Sequence, residues 1–155
     1  MKVLFLDIDG VVNSEQWYET RTKLPPTASR EEWKANEFNP ELCALVQRII
    51  KETGATVVLS SSWRGHEDNH NDIRKHVCEF TEITPRLPRP NDTSWEYRER
   101  GREVNAWLME HTEVTKYAIL DDDGDFFDWQ PLFQTSWKTG ITVEIADRVI
   151  AYLSE

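Results

Sequence analysis

The chain opens with an uninterrupted apolar run, Val3 to Leu6, that stops at two carboxylates one residue apart, Asp7 and Asp9, followed by Gly10-Val11-Val12. A run of strand length that does not alternate with polar residues predicts a strand buried on both faces. Such a strand commits the chain to a parallel sheet covered by helices. Open α/β sheets bind ligands just outside the carboxyl ends of their strands, so an Asp-x-Asp placed there sits where chemistry is done. Side chains alternate along a strand, which predicts Asp7 and Asp9 on one side and Ile8 on the other. Two such charges repel unless a cation or a proton lies between them, so the pair implies a metal, an acid/base couple, or both. A simple Asp-Gly turn accounts for Asp9-Gly10 but leaves Asp7 unexplained.

The same pattern returns twice. Thr56 to Leu59 reads as a second buried strand, ending in Ser60-Ser61-Ser62-Trp63-Arg64. Tyr117 to Leu120 reads as a third, ending in Asp121-Asp122-Asp123-Gly124-Asp125. Between the strands, Asn39-Pro40-Glu41 opens a helix with a cap, a first-position proline and an early acid, and Gly54 closes it. Leu42, Leu45, Val46, Ile49 and Ile50 recur along it at helical spacing. Further helices are predicted over about 72–80, 101–111 and 142–153, and a short strand near 132–135. The alternation of strands and helices predicts an α/β fold, a doubly wound and mostly parallel sheet. Residues 13–39 are long for a plain loop and read as a lid or small insertion; 81–98, with Pro85, Pro88 and Pro90, form a second excursion.

A length of 155 residues fits one domain, spanning 1–155. Such a domain buries roughly two-thirds of its unfolded surface. The formal charge of −10 speaks against a wholly basic surface gripping nucleic acid, though not against a local basic pocket. Cys43 and Cys78 read as small buried hydrophobes of a reducing cytosol. No apolar run approaches the ~20 residues that cross a membrane, and no cleavable signal opens the chain. The expectation is a cytoplasmic protein without a membrane partner.

Three strand ends with phosphate-competent side chains fall on one edge of a parallel sheet. Asp7-Ile8-Asp9-Gly10-Val11, Leu59-Ser60-Ser61 and Ile119-Leu120-Asp121-Asp122 resemble motifs one, two and four of the haloacid dehalogenase (HAD) superfamily of phosphohydrolases. The resemblance extends to the HAD domains of Swiss Army Knife RNA repair proteins, through Ser61-Ser62-Trp63-Arg64, Arg100-Gly101-Arg102-Glu103-Val104 with Trp107-Leu108, Leu120 to Asp125, and the tail Gln134-Thr135 with Gly140-Ile141-Thr142. It implies a HAD-like Rossmannoid three-layer sandwich with a minimal cap.

The resemblance also implies roles. Asp7 would attack phosphorus to form an aspartyl-phosphate, and Asp9 would serve as general acid and then base. Mg²⁺ would be held by the Asp7 carboxylate, the Asp9 backbone carbonyl and Asp122, with Asp121 in support and Asp125 a weaker candidate. Ser60 would bind the phosphoryl oxygens. Arg100 would be the completing cation, with Arg102 as runner-up. Gly10, Ser61, Arg64 and Arg102 are the expected substrate-binding residues.

His66-Glu67-Asp68-Asn69-His70 matches the His-Glu-x-x-His pattern of zinc proteases, which needs both histidines on one face of a helix. Asp68, Asn69 and Asn71 favour a loop here, so a surface loop at the rim of the mouth is the better reading. The substrate expected from a small lid is a phosphorylated molecule of some size, a nucleotide or a polynucleotide 3′-phosphate end. Arg86, Arg89, Arg98, Arg100 and Arg102 form a local basic cluster for it. Trp63 or Trp95 is a candidate to stack on a base, with packing the plainer role. Two alternatives stand beside this reading, a small-metabolite phosphatase and a non-catalytic phosphate-binding module.

Overall fold

The computed structural model describes residues 1–88 and 99–155. Arg89, Pro90, Trp95 and Arg98 lie outside the described residues. Five strands, β1 (Lys2–Leu6), β2 (Thr56–Leu59), β3 (Glu82–Ile83), β4 (Lys116–Asp121) and β5 (Leu132–Gln134), form one all-parallel sheet in the order β3-β2-β1-β4-β5. Strand β1 is central, with Leu6 in register with Leu59 of β2 and Leu120 of β4. The chain leaves β1 toward β2 on one side and later returns to add β4 on the other. The carboxyl end of β1 therefore lies at the point where the strand order reverses, the place open α/β sheets use for ligands.

The alternation along the strands divides the core. Leu4, Leu6, Val57, Leu59, Ala118 and Leu120 face one layer, packed by α3 (Pro40–Thr53) and α6 (Val143–Ser154). Val3, Phe5, Val58 and Ile119 face the other, packed by Val104 and Trp107 of α5 (Glu99–Glu110). Phe5 meets Trp107 and Tyr117 edge-on, with ring centroids 5.4 and 5.8 Å away. Each such buried side chain is worth about 1.5–3 kcal/mol. Helix α3 starts as its sequence predicts: the Asn39 side chain accepts from Glu41 N, and Gly54 ends it at φ +67°.

The 13–39 stretch carries two short helices, α1 (Glu15–Thr20) and α2 (Arg30–Ala35), the second opened by a Ser29/Glu32 capping box. Helix α2 rests on α4 (Glu67–His76), where the nearly buried Asp72 faces Arg30 at 3.5 Å and Lys34 at 3.8 Å.

Two expectations change. The segment 67–71 is helical rather than looped, as the first half of α4. Glu67 and Asp68 sit in its first turn and Arg74, Lys75 and His76 in its last, complementing the helix dipole, and Ile73 is buried in the core. The 81–98 excursion begins with the two-residue strand β3, which extends the sheet beside β2. Among the described residues no helix is long and apolar enough to cross a membrane.

Candidate active site

The sheet ladder continues one step past the strands, and this brings the three polar strand ends level. Asp7 N donates to Leu120 O, Ser60 N to Leu6 O, and Thr135 N to Asp121 O, each at 2.9 Å. Asp7 and Asp121 follow Phe5 and Ile119 in the alternation and emerge on the α5 side of the sheet.

Beyond Asp7 the chain turns at once. Val11 N and Val12 N both donate to Ile8 O, and Gly10 adopts φ +72°. Asp9 thus lies in a turn and not on the strand. Gly10 is required twice. Its φ is one L side chains rarely adopt, and a Cβ there would lie 2.3 Å from the Asp122 carboxyl carbon. The turn is fastened by Asn13 Oδ1, which accepts from Gly10 N at 2.9 Å, and by the Thr135 hydroxyl, which donates to Gly10 O at 2.6 Å.

With the glycine there, Asp122 approaches the other acids. Asp7, Asp121 and Asp122 each offer a carboxylate oxygen within 4.8 Å of the others. Burial holds all three carboxyls above their ordinary range, helped by repulsion from Asp9 at Asp7 and from Asp7 at Asp121 and Asp122, and Asp121 is pushed to about 8. Arg100 opposes this from the first turn of α5. Its Nη1 lies 3.4 Å from Asp7 Oδ1 and 3.5 Å from Asp121 Oδ2, and it donates to Ser60 O. One cation among three clustered acids leaves negative charge uncompensated. Hard oxygen donors at this spacing, with Asp122 drawn in through a gap only glycine leaves, fit a divalent cation such as Mg²⁺.

Asp9 is held apart from that cluster. Asn13 Nδ2 donates to its Oδ1 at 2.8 Å, and the Trp63 indole N–H donates to its Oδ2 at 2.9 Å. Trp63 packs at 5.4 Å on Phe38 and carries the Lys34 ammonium 5.4 Å from its ring. The sequence reading offered Trp63 for base stacking or packing and did not single out Asn13. The one signal it held was a polar Asn13 placed directly after the apolar pair Val11-Val12, where it is fully buried.

The serines divide. Ser61 Oγ accepts from Trp63 N at 3.3 Å and draws the Asp7 carboxyl down against its burial, while Ser60 Oγ is buried without a hydrogen-bond partner among the described residues and its carbonyl anchors Arg100 and Arg64. Arg64 lies behind this turn. Its guanidinium donates to Ser60 O and Ser61 O at 2.6 and 2.9 Å and forms a buried ion pair with Glu103.

Arg100 is the arginine of its pair that reaches the acids; Arg102, two residues on, points from a different part of the helix surface. Asp125 fastens the start of α5 instead of joining the acid cluster: its carboxylate accepts from Arg100 N and its carbonyl from Gly101 N. His70 Nε2 donates to Arg64 O at 2.9 Å, and the one cluster of metal-competent side chains among the described residues is the Asp7–Asp121–Asp122 group. A cleft of about 510 Å³ opens beside Arg100, lined by Ser62, Arg64, Arg86, Leu87, Glu99, Glu103, Asp123 and Asp125.

The family model described as the HAD domain in Swiss Army Knife RNA repair proteins matches residues 3–146. No curated protein and no solved structure matches the chain.

Proposed function

The chain belongs to the family of HAD domains in Swiss Army Knife RNA repair proteins, and from that premise we propose a phosphomonoesterase that works through an aspartyl-phosphate on a nucleotide or polynucleotide 3′-phosphate end. The observation that carries the reading is Asp7 itself. It is a nearly buried carboxylate at the sheet's switch point, 3.4 Å from the Arg100 guanidinium and clustered with two further acids.

Phosphate monoesters resist water, and a carboxylate nucleophile divides the hydrolysis into two easier steps. Asp7 forms a bond to phosphorus as the bond to the ester oxygen breaks, and Asp9 gives its proton to that leaving oxygen. Asp9 then takes a proton from the water that attacks the phosphorus of the acyl phosphate, which releases phosphate and restores Asp7. Arg100 favours the ionised form of Asp7 against the pull of burial and stabilises charge on the transferring group. Ser61 favours the Asp7 carboxylate, and the Ser60 hydroxyl, without a hydrogen-bond partner among the described residues, is available to a phosphoryl oxygen. Asp7, Asp121 and Asp122 would hold Mg²⁺, which when bound neutralises charge on the phosphoryl oxygens. The two buried free cysteines, Cys43 and Cys78, suit a cytoplasmic setting.

The test is phosphate release from a 3′-phosphorylated oligonucleotide, a nucleoside 3′-monophosphate and an aryl phosphate, with Mg²⁺ and with EDTA. Magnesium-dependent release that Asp7→Asn abolishes is the expected result. A folded protein that releases phosphate from none of the three points to a binding module.

A further inference from the structure

Arg86 stands on a loop that the site itself braces. The buried Arg64–Glu103 pair ties the Ser60–Ser61 carbonyls to α5, and the second oxygen of Glu103 accepts from Leu87 N at 3.3 Å. The residue next to Leu87 is thereby held to the same turn that carries the phosphate-facing serines. Arg86 Nη2 donates to Ser62 O at 3.2 Å, and it crosses Gly65 so closely that a Cβ there would lie 2.5 Å from Nη2. Glycine at 65 therefore makes room for the guanidinium against the turn. From this place Arg86 lines the cleft of about 510 Å³ that also takes Arg100, the cation of the reacting site. Glu99 and Asp123 line the same cleft.

We propose that this cleft is a nucleotide subsite in which Arg86 binds a second phosphate, the one on the 5′ oxygen of the nucleotide whose 3′-phosphate is hydrolysed. The volume lies in the range of small-ligand sites and takes one nucleotide. A guanidinium presents a planar fork suited to a phosphate, and its hydrogen bond to Ser62 O leaves further N–H groups for the ligand. Asp123 is an acceptor for sugar hydroxyl and base amino groups. The inference rests on the phosphatase reading for the identity of the first phosphate, and it narrows that reading from mononucleotides to ends that carry a neighbouring phosphate.

The experiment measures binding, so that it stands apart from turnover. In Mg²⁺, Asp7→Asn protein is titrated with a nucleoside 3′-monophosphate, the corresponding 3′,5′-bisphosphate, and a dinucleotide bearing a 3′-phosphate. The second phosphate is expected to tighten binding about tenfold. In Asp7→Asn/Arg86→Gln that ratio falls to about one, and Arg86→Lys retains part of it. A tenfold gain with the bisphosphate alone assigns the subsite to a terminal phosphate; a gain with the dinucleotide assigns it to a phosphodiester. Equal affinity for all three ligands, or a ratio that survives Arg86→Gln, overturns the subsite. Aryl phosphate turnover by the wild type reports on the phosphatase reading separately, since that substrate carries no second phosphate.

Discussion

The indole of Trp63 donates to Asp9 Oδ2 at 2.9 Å across a separation of 54 residues, while Asn13 holds the other oxygen at 2.8 Å. A general acid is useful only if its carboxyl is aimed, and here both oxygens are aimed by donors that are themselves packed. Trp63→Phe keeps an aromatic ring against Phe38 and removes the N–H together with part of the indole. It is expected to lower kcat about 10- to 100-fold, within the range general acid–base catalysis contributes, with KM changed much less. A drop confined to KM would contradict it.

Gly10→Ala tests the turn. The added Cβ meets a positive φ and the Asp122 carboxyl together, so neither backbone nor acid stays in place. The expected loss of stability is about 1–3 kcal/mol, read in urea, and the stabilisation by added Mg²⁺ expected of wild type should shrink. An alanine variant with wild-type stability and an undiminished Mg²⁺ response would show that the approach of Asp122 is dispensable.

The buried Arg64–Glu103 pair is a frame, and the two kinds of mutation should differ. Glu103→Ala leaves a guanidinium buried without its counter-charge and is expected to cost about 3–5 kcal/mol. Arg64→Met combined with Glu103→Leu replaces the pair with apolar volume and should recover much of that loss. Chemical denaturation of the three proteins measures both, and equal costs for the single and double changes would argue against a buried, mutually compensated pair.

What the sequence conveyed about this fold follows from where its signals are local. The buried strands β1, β2 and β4 announce themselves as apolar runs, and α3 by its cap, its proline and its closing glycine. Their polar ends, Asp7, Ser60 and Asp121, could be set on one edge because parallel strands end together. Strand β3 escaped notice because its two residues, Glu82 and Ile83, are both exposed and carry no apolar pattern. The first half of helix α4 was hidden by Asp68, Asn69 and Asn71, whose weak propensity is outweighed by the buried Ile73 and the dipole-matched ends. The grips of Trp63 on Asp9, of Thr135 on Gly10 and of Glu103 on Leu87 N join residues 54, 125 and 16 apart. Spacing along the chain says nothing about such pairs; only the packed sheet brings them together.

Asp121 shows what the acid cluster costs the fold when no cation is bound. Its carboxyl is pushed up to about 8, first by burial and then by Asp7. An acid whose folded value exceeds its unfolded value binds more protons when folded, so stability falls as pH rises from about 4 through about 8. Asp121→Asn removes that charge while its side-chain oxygen can still accept from Asp123 N, the 2.9 Å bond that Asp121 Oδ1 makes. In EDTA at pH 9 the variant is expected to melt about 2–6 °C above wild type, and the difference should shrink toward pH 6, where wild type regains its proton. In Mg²⁺ the order should reverse, because the wild-type acids gain a counter-ion that the variant binds less well. Thermal melts at the two pH values, with and without Mg²⁺, decide it. A pH-independent difference in EDTA would remove Asp121 as the source of the strain, and a variant still stabilised by Mg²⁺ as strongly as wild type would remove it from the metal-binding acids.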